Sequence, residues 1–384
     1  MRNSGKVISK NIRKQRGSNG DVLLLVLVVL LAVYGVIAVY SASNYTAQID
    51  YGNKYYYFGK QIIGVVLGAA AMIFTANFDY RKYKKFGIVF YAVGLILLML
   101  VFVPGLGVES YGAKRWIGIA GITIQPSEIA KFAYVFLVAG IIGNDPGALN
   151  TFKGIIKVCI SGGIVCLLIM CEPNMSVTMC VGLTMLTLLF CCGLNGKIFA
   201  VLLVPIALAV PVLIIAEPYR LKRLKAFLNP WENPKGEGYQ LLQSLYALGS
   251  GNVFGVGLFK SRQKYRFLPF AESDFILAVI GEETGLFGVL LLFAVIFVVI
   301  YKGYKIAGKC NNFYGFTLCV GITTVYAVQV VINALVVTGS IPPTGLPLPL
   351  ISAGNTSIIV FMAMFGVVYN ISKDSKSPIY IDDT

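Results

Sequence analysis

The sequence contains no histidine, and this absence excludes several classes of site. Triads with an imidazole base, histidine-ligated metal centres and histidine proton relays all need a residue that the chain lacks. Charged residues are also scarce, at 13% of 384 residues, whereas soluble domains contain about a quarter. Hydrophobic residues make up 57% of the chain and form runs long enough to cross a bilayer. The composition therefore predicts a protein of membrane-spanning helices.

Acidic residues are outnumbered by basic ones, 17 against 32, so the net charge is +15. A nucleic-acid partner is not expected, because membrane proteins retain Lys and Arg in cytoplasmic loops, where these residues set orientation. The eight cysteines lie in or beside apolar runs and lack metal-ligand spacing. We therefore expect small buried thiols and no metal-ligating residues.

Ten apolar runs predict the membrane-spanning helices. They cover approximately residues 22–40, 61–76, 87–103, 126–143, 154–171, 175–192, 198–216, 275–300, 314–338 and 356–370. Basic residues concentrate in the tails and the even-numbered turns, so the positive-inside rule places both termini in the cytoplasm. The predicted fold class is an all-α polytopic membrane protein with about ten transmembrane helices.

The same pattern predicts the domain organisation. A basic cytoplasmic tail (1–20) precedes the membrane domain (21–370), and a second cytoplasmic tail (371–384) follows it. A large extracytoplasmic loop, 217–273, separates spans seven and eight. Residues 339–355 include four prolines and cannot form a helix, so we expect a structured outside loop that lines or covers a cavity.

Asp274 lies where a polar, basic segment meets the apolar run of span eight. With Ser273 it can cap the helix, since Ser and Asp are favoured at the N-cap. Alternatively it is a working carboxylate, because the topology places it outside together with the 339–355 loop and Glu172. Glu282 lies deeper on the same side of span eight, and an acid at that depth needs a partner or water.

Glu128 and Lys131 stand three residues apart on span four and therefore share one helix face. Such a pair can simply neutralise itself inside the protein. Ionisable residues within a membrane span nevertheless indicate function by default. Both interpretations stay open at this level.

The loop 217–273 combines a cationic patch at Arg220–Lys225, a helical pattern at Tyr239–Leu248 and a glycine-rich run at Gly249–Gly257. The glycines can bring backbone N–H groups close to a ligand, and the helix can lie in the membrane interface. One interpretation is a solvated loop that needs turns. The other is an electropositive platform for an anionic, lipid-linked substrate such as a pyrophosphate.

Short motifs recur in a fixed order between about residues 20 and 370. They are Gly112–Ile117, Gln125–Lys131, Glu172–Pro173, Asn229–Trp231, Gly238–Ser244, Leu268–Pro269, Ser273–Ile276, Gly281–Glu283 and Pro343–Leu350. In this order the chain resembles the SEDS family of polytopic peptidoglycan polymerases, typified by FtsW, RodA and SpoVE. Leu245–Gly251 and Ser261–Tyr265 are more similar to the division and sporulation branch than to the elongation branch.

The resemblance implies a glycosyltransferase that polymerises lipid II on the outer face of the bacterial cytoplasmic membrane. A GlcNAc 4-hydroxyl would attack the MurNAc anomeric carbon and expel undecaprenyl pyrophosphate with inversion. The implied partners are a class B penicillin-binding protein and other divisome proteins, at the division septum. A divalent cation, Mg²⁺ or Mn²⁺, is expected to bridge the pyrophosphate, and no organic cofactor is expected.

The resemblance also implies roles for individual residues. Asp274 corresponds to the essential Asp of the family and would act as the general base. The expected substrate-binding residues are Glu128, Lys131, Lys114, Arg115, Gln125, Arg220, Arg223, Ser352 and Asn355. Phe270–Ser273 and Ala353–Ser357 depart from the usual family pattern.

Two other functions stay open on the sequence. A lipid II flippase or other transporter would line a path through the bilayer with charged residues and would show inverted repeats, of which none is convincing. A non-catalytic scaffold would only recruit the transpeptidase. The large outside loop favours an enzyme that acts at the membrane surface.

Overall fold

The computed structural model describes residues 20–110, 113–119, 122–215 and 218–374. Outside these ranges lie residues 1–19 and 375–384 of the predicted tails, Gly112 of the first motif and Glu217 of the large loop. The helices are α1 (Val22–Tyr51), α2 (Tyr56–Asn77), α3 (Tyr80–Leu100), α4 (Pro126–Asn144), α5 (Phe152–Cys171), α6 (Met175–Cys191), α7 (Gly196–Ile215), α8 (Pro218–Leu228), α9 (Tyr239–Gly251), α10 (Ile276–Ala307), α11 (Phe313–Val337) and α12 (Asn355–Asp374). Short 3₁₀ turns lie at Lys84–Phe86 and Ala148–Asn150.

Eight of the helices in the described ranges are long and apolar enough to cross a membrane. The shorter apolar helices α6 and α7 coincide with the sixth and seventh predicted spans. The polytopic helical fold class is therefore confirmed, whereas the count of ten crossings stays a prediction. The large loop is also more ordered than a simple connection, because α8 and α9 lie within it.

The segment between the third and fourth predicted spans contains a small antiparallel sheet. Its strands are β1 (Gly107–Ser110), β2 (Ala113–Ile119) and β3 (Ile122–Ile124), in the order β1-β2-β3. Val108 pairs with Trp116, and Ile117 pairs with Ile124. The all-α prediction was wrong for this segment, because short strands that contain glycine and charge hide the period-two pattern.

Helices α4 and α11 form the centre of the membrane domain. In their most apolar stretches 78% and 72% of residues are buried, against 22% for α2, α3 and α10. Gly321 allows close packing here, since a Cβ at this position would lie 2.4 Å from Val135 Cγ1. Side chains on α4 and α11 are thus sheltered from lipid, and the outer helices present apolar residues to it.

Helix α10 is broken at Gly285, whose φ of 65° and ψ of −171° are not helical. An apolar segment of the large loop, residues 252–257, lies against this break. The four backbone bonds that join them are Leu286 N to Asn252 O (2.9 Å), Phe287 N to Val253 O (3.0 Å), Val256 N to Glu282 O (2.9 Å) and Gly257 N to Glu283 O (3.0 Å). The loop therefore satisfies polar groups that the break would leave unpaired in hydrocarbon.

This contact corrects the interpretation of the glycine-rich run as a ligand cradle. The amides of Val256 and Gly257 donate to carbonyl groups of α10. A Cβ on Gly255 would lie 2.2 Å from the carbonyl oxygen of Glu283, and one on Gly285 would lie 2.3 Å from the amide nitrogen of Gly255. The glycines permit two backbones to touch.

Gly285→Ala should destabilise the protein strongly. Its backbone conformation is almost restricted to glycine and would cost about 1–3 kcal/mol with a side chain, in addition to the clash with Gly255. The midpoint of thermal unfolding in detergent measures the effect. Gly163→Ala is the matched control, because a Cβ there meets nothing within 4 Å. Equal midpoints for the two variants would contradict this view of the break.

Candidate active site

Asp274 lies just before α10 but does not cap it. The N-cap residue is Phe275, and no side chain makes a capping hydrogen bond. Ser273 Oγ instead donates to Asp274 Oδ1 over 2.9 Å. The capping interpretation was therefore wrong for both residues, and the half-buried carboxyl group of Asp274 is available for another role.

The pKa of the Asp274 carboxyl is raised above its ordinary value. Burial is the largest cause, and the hydrogen bond from Ser273 and the charges of Arg115 and Arg223 partly offset it. A carboxylate with a raised pKa is a stronger base than an exposed one. The two guanidinium groups act on it in the opposite direction and favour its ionised form.

Backbone carbonyl groups hold both of these arginines in place. Arg115 Nε donates to the carbonyl of Glu172 (3.1 Å), and its Nη2 donates to that of Pro173 (2.6 Å). Arg223 Nη1 donates to the carbonyl of Pro343 (2.9 Å). The β-sheet, the α5–α6 turn, α8 and the proline-rich loop therefore meet near the same carboxylate, as the predicted topology requires.

Two amide side chains of α11, which sequence reasoning missed, fix the proline-rich loop. Asn333 Nδ2 donates to the carbonyl groups of Asp274 and Leu346, each over 2.8 Å. Gln329 Nε2 donates to the carbonyl of Pro347 over 3.0 Å. Their sequence signal was a pair of buried amides one turn apart in an apolar helix, a pattern that indicates interhelical hydrogen bonding.

Glu128 and Lys131 form an ion pair in the protein interior. Lys131 Nζ lies 2.8 Å from Glu128 Oε1 and donates to Gln329 Oε1 over 2.5 Å. Each side chain is only 1% exposed. The structure thus shows the neutralising arrangement and links it through Gln329 to the proline-rich loop, while direct contact with substrate stays a prediction.

Three further predicted substrate-binding residues lie in or beside the proline-rich loop: Ser352, Gln125 and Asn355. Ser352 Oγ donates to the carbonyl of Ser273 (2.6 Å), so the loop is tied to the residue beside the carboxylate. The backbone amide of Gln125 donates to Thr356 Oγ1 (3.3 Å). Asn355 is the first residue of α12.

The cationic residues Lys114 and Arg220 occupy different environments. Lys114 is exposed on β2, and Arg220 Nη2 contacts Met170 Sδ over 3.4 Å. A pocket of about 210 Å³ lies beside Arg223 and is bounded by Tyr239 and Phe270. The residues of the predicted cationic patch therefore lie on the short helix α8, and a pocket lies beside that helix.

Glu172 is a fully buried carboxyl group in the turn between α5 and α6. Within the described part of the chain neither of its carboxyl oxygens has a hydrogen-bond partner. Burial raises its pKa to about 8, although the charge of Arg115 lowers it. The group is therefore mostly protonated at neutral pH.

The predicted divalent cation would need acidic side chains or substrate phosphates as its ligands. Among the described residues there is no group of three or more His, Cys, Asp or Glu side chains that could hold a metal ion. Mg²⁺ is commonly bound by one or two carboxylates together with substrate phosphates. Asp274 would supply a carboxylate to such a substrate-held ion, and the ion when bound would supply positive charge beside the phosphates.

The sequence model of the family described as "Cell cycle protein", FTSW_RODA_SPOVE, matches residues 21–377. The chain belongs to this family. It is 37% identical over 362 residues to "Stage V sporulation protein E" of Bacillus subtilis. The aligned region covers 93% of this chain and 98% of that protein. It is 35% identical over 358 residues to "Probable peptidoglycan glycosyltransferase FtsW" of Trichlorobacter lovleyi, with 93% and 94% covered.

Two solved structures have a similar fold. A chain from the structure titled "Structural coordination of polymerization and crosslinking by a peptidoglycan synthase complex" has a TM-score of 0.77 at 25% identity and covers 94% of this chain and 99% of its own. The rod shape determining protein RodA of Thermus thermophilus has a TM-score of 0.69 at 22% identity, with 94% and 98% covered. This protein is thus a multi-pass membrane protein of that family.

Glu172→Gln should stabilise the protein at alkaline pH. A pKa raised from 4.5 to about 8 means that the unfolded state ionises first, so the stability of the native protein falls as the pH rises from 4.5 to 8. The substitution removes this loss, which amounts to a few kcal/mol. Melting temperatures measured across this pH range test it, with exposed Glu232→Gln as the control. An unchanged pH dependence in Glu172→Gln would contradict the assignment.

Proposed function

We propose that this protein is a peptidoglycan glycosyltransferase that polymerises lipid II on the outer face of the bacterial cytoplasmic membrane. The observation that carries the proposal is the carboxylate of Asp274 within the electrostatic reach of Arg115 and Arg223. This arrangement suits a reaction that needs one base and an anionic leaving group. Relatives named as peptidoglycan glycosyltransferases support the same activity.

In the proposed reaction Asp274 accepts the proton of a GlcNAc 4-hydroxyl. The oxygen forms a bond to the anomeric carbon of MurNAc as the bond from that carbon to the pyrophosphate breaks, and the configuration inverts. The leaving pyrophosphate needs cationic stabilisation rather than a proton. Arg115 and Arg223 are held near the carboxylate, and Lys114 and Arg220 extend the cationic surface. A Mg²⁺ or Mn²⁺ ion bound to the phosphates would add positive charge there.

The position of the pocket beside Arg223 supports a binding site for part of this substrate. Its volume of about 210 Å³ accommodates only a fraction of a disaccharide peptide, so most of the substrate would lie over the surface. Gln125, Ser352 and Asn355 are proposed to contact it from the adjoining loop and helices. Glu128 and Lys131 would support the proline-rich loop through Gln329.

A class B penicillin-binding protein and other divisome proteins are the proposed partners, and the division septum is the proposed location. One relative of known structure comes from a complex whose title joins polymerisation to crosslinking. Relatives named FtsW and a sporulation protein support a role in septum formation. Transport and scaffolding are the competing functions, and the assays below distinguish them.

Asp274→Asn should abolish glycan formation from lipid II by the purified protein in detergent. Loss of a general base lowers a rate by about 10²- to 10⁴-fold. Exposed Asp145→Asn, a change just after the last residue of α4, is the control and should keep its activity. Full activity in Asp274→Asn would refute the assignment of the base.

The same assay would measure glycan formation by the wild-type protein under two conditions, with and without the partner transpeptidase. No polymer under either condition would refute the enzyme and favour a scaffold. Lipid II movement across vesicles without polymer would favour a transporter.

Arg223→Gln should move the acidic limb of the pH–rate profile to higher pH. The positive charge lowers the pKa of Asp274, so its removal raises that pKa further above the ordinary value. The base must be ionised, and activity is lost as the pH falls through its pKa. Lys235→Gln, an exposed change in the same loop, should leave the limb in place. A shift to lower pH would contradict the electrostatic account.

A further inference from the structure

A second group of ionisable residues lies inside the protein and has no part in the proposed reaction. Glu282 and Glu283 are 1% and 5% exposed, and Lys264 is 2% exposed. They lie where α10 approaches its break. Burial of three charged groups is unfavourable unless each is paired and hydrogen-bonded, so the structure must gain something from their arrangement.

Glu283 connects three parts of the chain through one oxygen. Its Oε1 accepts hydrogen bonds from Ser41 Oγ of α1 (2.6 Å), from Lys264 Nζ (3.2 Å) and from the amide of Ser261 (3.3 Å). Lys264 Nζ also donates to the carbonyl of Phe259 over 2.7 Å. Helix α1 and the end of the large loop are thereby fastened to α10.

Glu282 binds the same stretch of the loop by accepting hydrogen bonds from residues 261–263. Its Oε2 accepts from Ser261 Oγ (2.5 Å) and from the amide of Gln263 (3.3 Å). Its Oε1 accepts from the amide of Arg262 (3.0 Å). We refer to Ser41, Ser261, Lys264, Glu282 and Glu283 as the buried clamp.

The clamp holds one end of a short segment that carries Asp274 at its other end. Residues 261–275 begin at the clamp and return to the start of α10, which lies about 10 Å away along the helix axis at 1.5 Å per residue. Inside the segment, the amide of Leu268 donates to Gln263 O (2.9 Å) and that of Phe275 donates to Phe270 O (3.3 Å). The segment is therefore a closed loop fixed to one helix at both ends.

We propose that the buried clamp is a positioning device for Asp274. Glu283 and Lys264 hold the first part of the 261–275 segment, and the segment in turn sets where the carboxylate lies relative to Arg115 and Arg223. This inference rests on the proposed function of Asp274. Ser41 adds α1 to the device, so a displacement of that helix is transmitted to the same carboxylate.

Removal of one charge from such a pair differs from removal of both. Glu283→Gln removes the carboxylate that pairs with the buried Lys264 ammonium, whereas the double variant Glu283→Gln with Lys264→Met removes both members of that pair. The double variant should therefore retain more order in the segment than Glu283→Gln. A simple loss of packing would instead make the double variant worse than either single one.

The chain offers a matched control at the other end of the same two helices. Lys302 of α10 pairs with Asp21 at the start of α1 over 2.8 Å. Lys302→Met therefore breaks an α1–α10 ion pair far from the 261–275 segment. Its effect reports what the loss of an ion pair between these two helices does to the fold.

The experiment combines two measurements on full-length protein in detergent. Steady-state kinetics with lipid II give kcat and KM per folded molecule, and hydrogen exchange by mass spectrometry reports the order of residues 261–275. For Glu283→Gln we expect kcat to fall by on the order of 10²-fold with KM little changed, because a 1 Å displacement has that effect. Exchange in the segment should rise, and the double variant should recover part of both.

Lys302→Met should change neither kcat nor exchange in the segment. If Glu283→Gln does not fold, Ser41→Ala removes only the two hydrogen bonds of the Ser41 hydroxyl, to Glu283 and from Lys264, and should show the same changes at smaller size. Unchanged kcat per folded molecule, or equal losses in Lys302→Met, would overturn the proposal. A wild-type protein without polymerase activity would instead refute the proposed function, and unchanged exchange in the segment would still refute the clamp.

Discussion

The break in α10 at Gly285 is the feature on which the end of the molecule around Asp274 depends. A spanning helix cannot leave amide and carbonyl groups unpaired in hydrocarbon, so another backbone must fill the gap. Residues 252–257 do so with four hydrogen bonds, and glycines on both sides allow the approach. The contact brings the end of the large loop beside Glu282 and Glu283, and the chain then has only a short return to Asp274.

Hydrogen bonds between polar side chains of one helix and groups on other segments hold the rest of the site together. Asn333 holds the backbone of Asp274 together with the proline-rich loop, and Gln329 links that loop to the buried Lys131. Such bonds specify a single arrangement, because each broken one leaves a polar group without a partner in a dry interior. These bonds hold the backbone that carries the Asp274 carboxylate.

Much of the architecture was predictable from local pattern. Apolar runs located the spanning helices, and the distribution of Lys and Arg brought Asp274, Arg115 and Glu172 to one end. The β-sheet, the break at Gly285 and the amides of α11 were not foreseen. Each of these depends on which distant backbone lies opposite, and the sequence around Gly285 reads as a continuous helix until residues 252–257 are placed against it.

The pH dependence of single-turnover glycan formation tests the central claim, that Asp274 is the base, most directly. For the wild-type protein the rate should fall on the acid side with a midpoint above the ordinary pKa of Asp, 3.8, since burial raises the pKa of this carboxyl. The residual rate of Asp274→Asn should lack that limb. An acid limb that persists in Asp274→Asn would contradict the account.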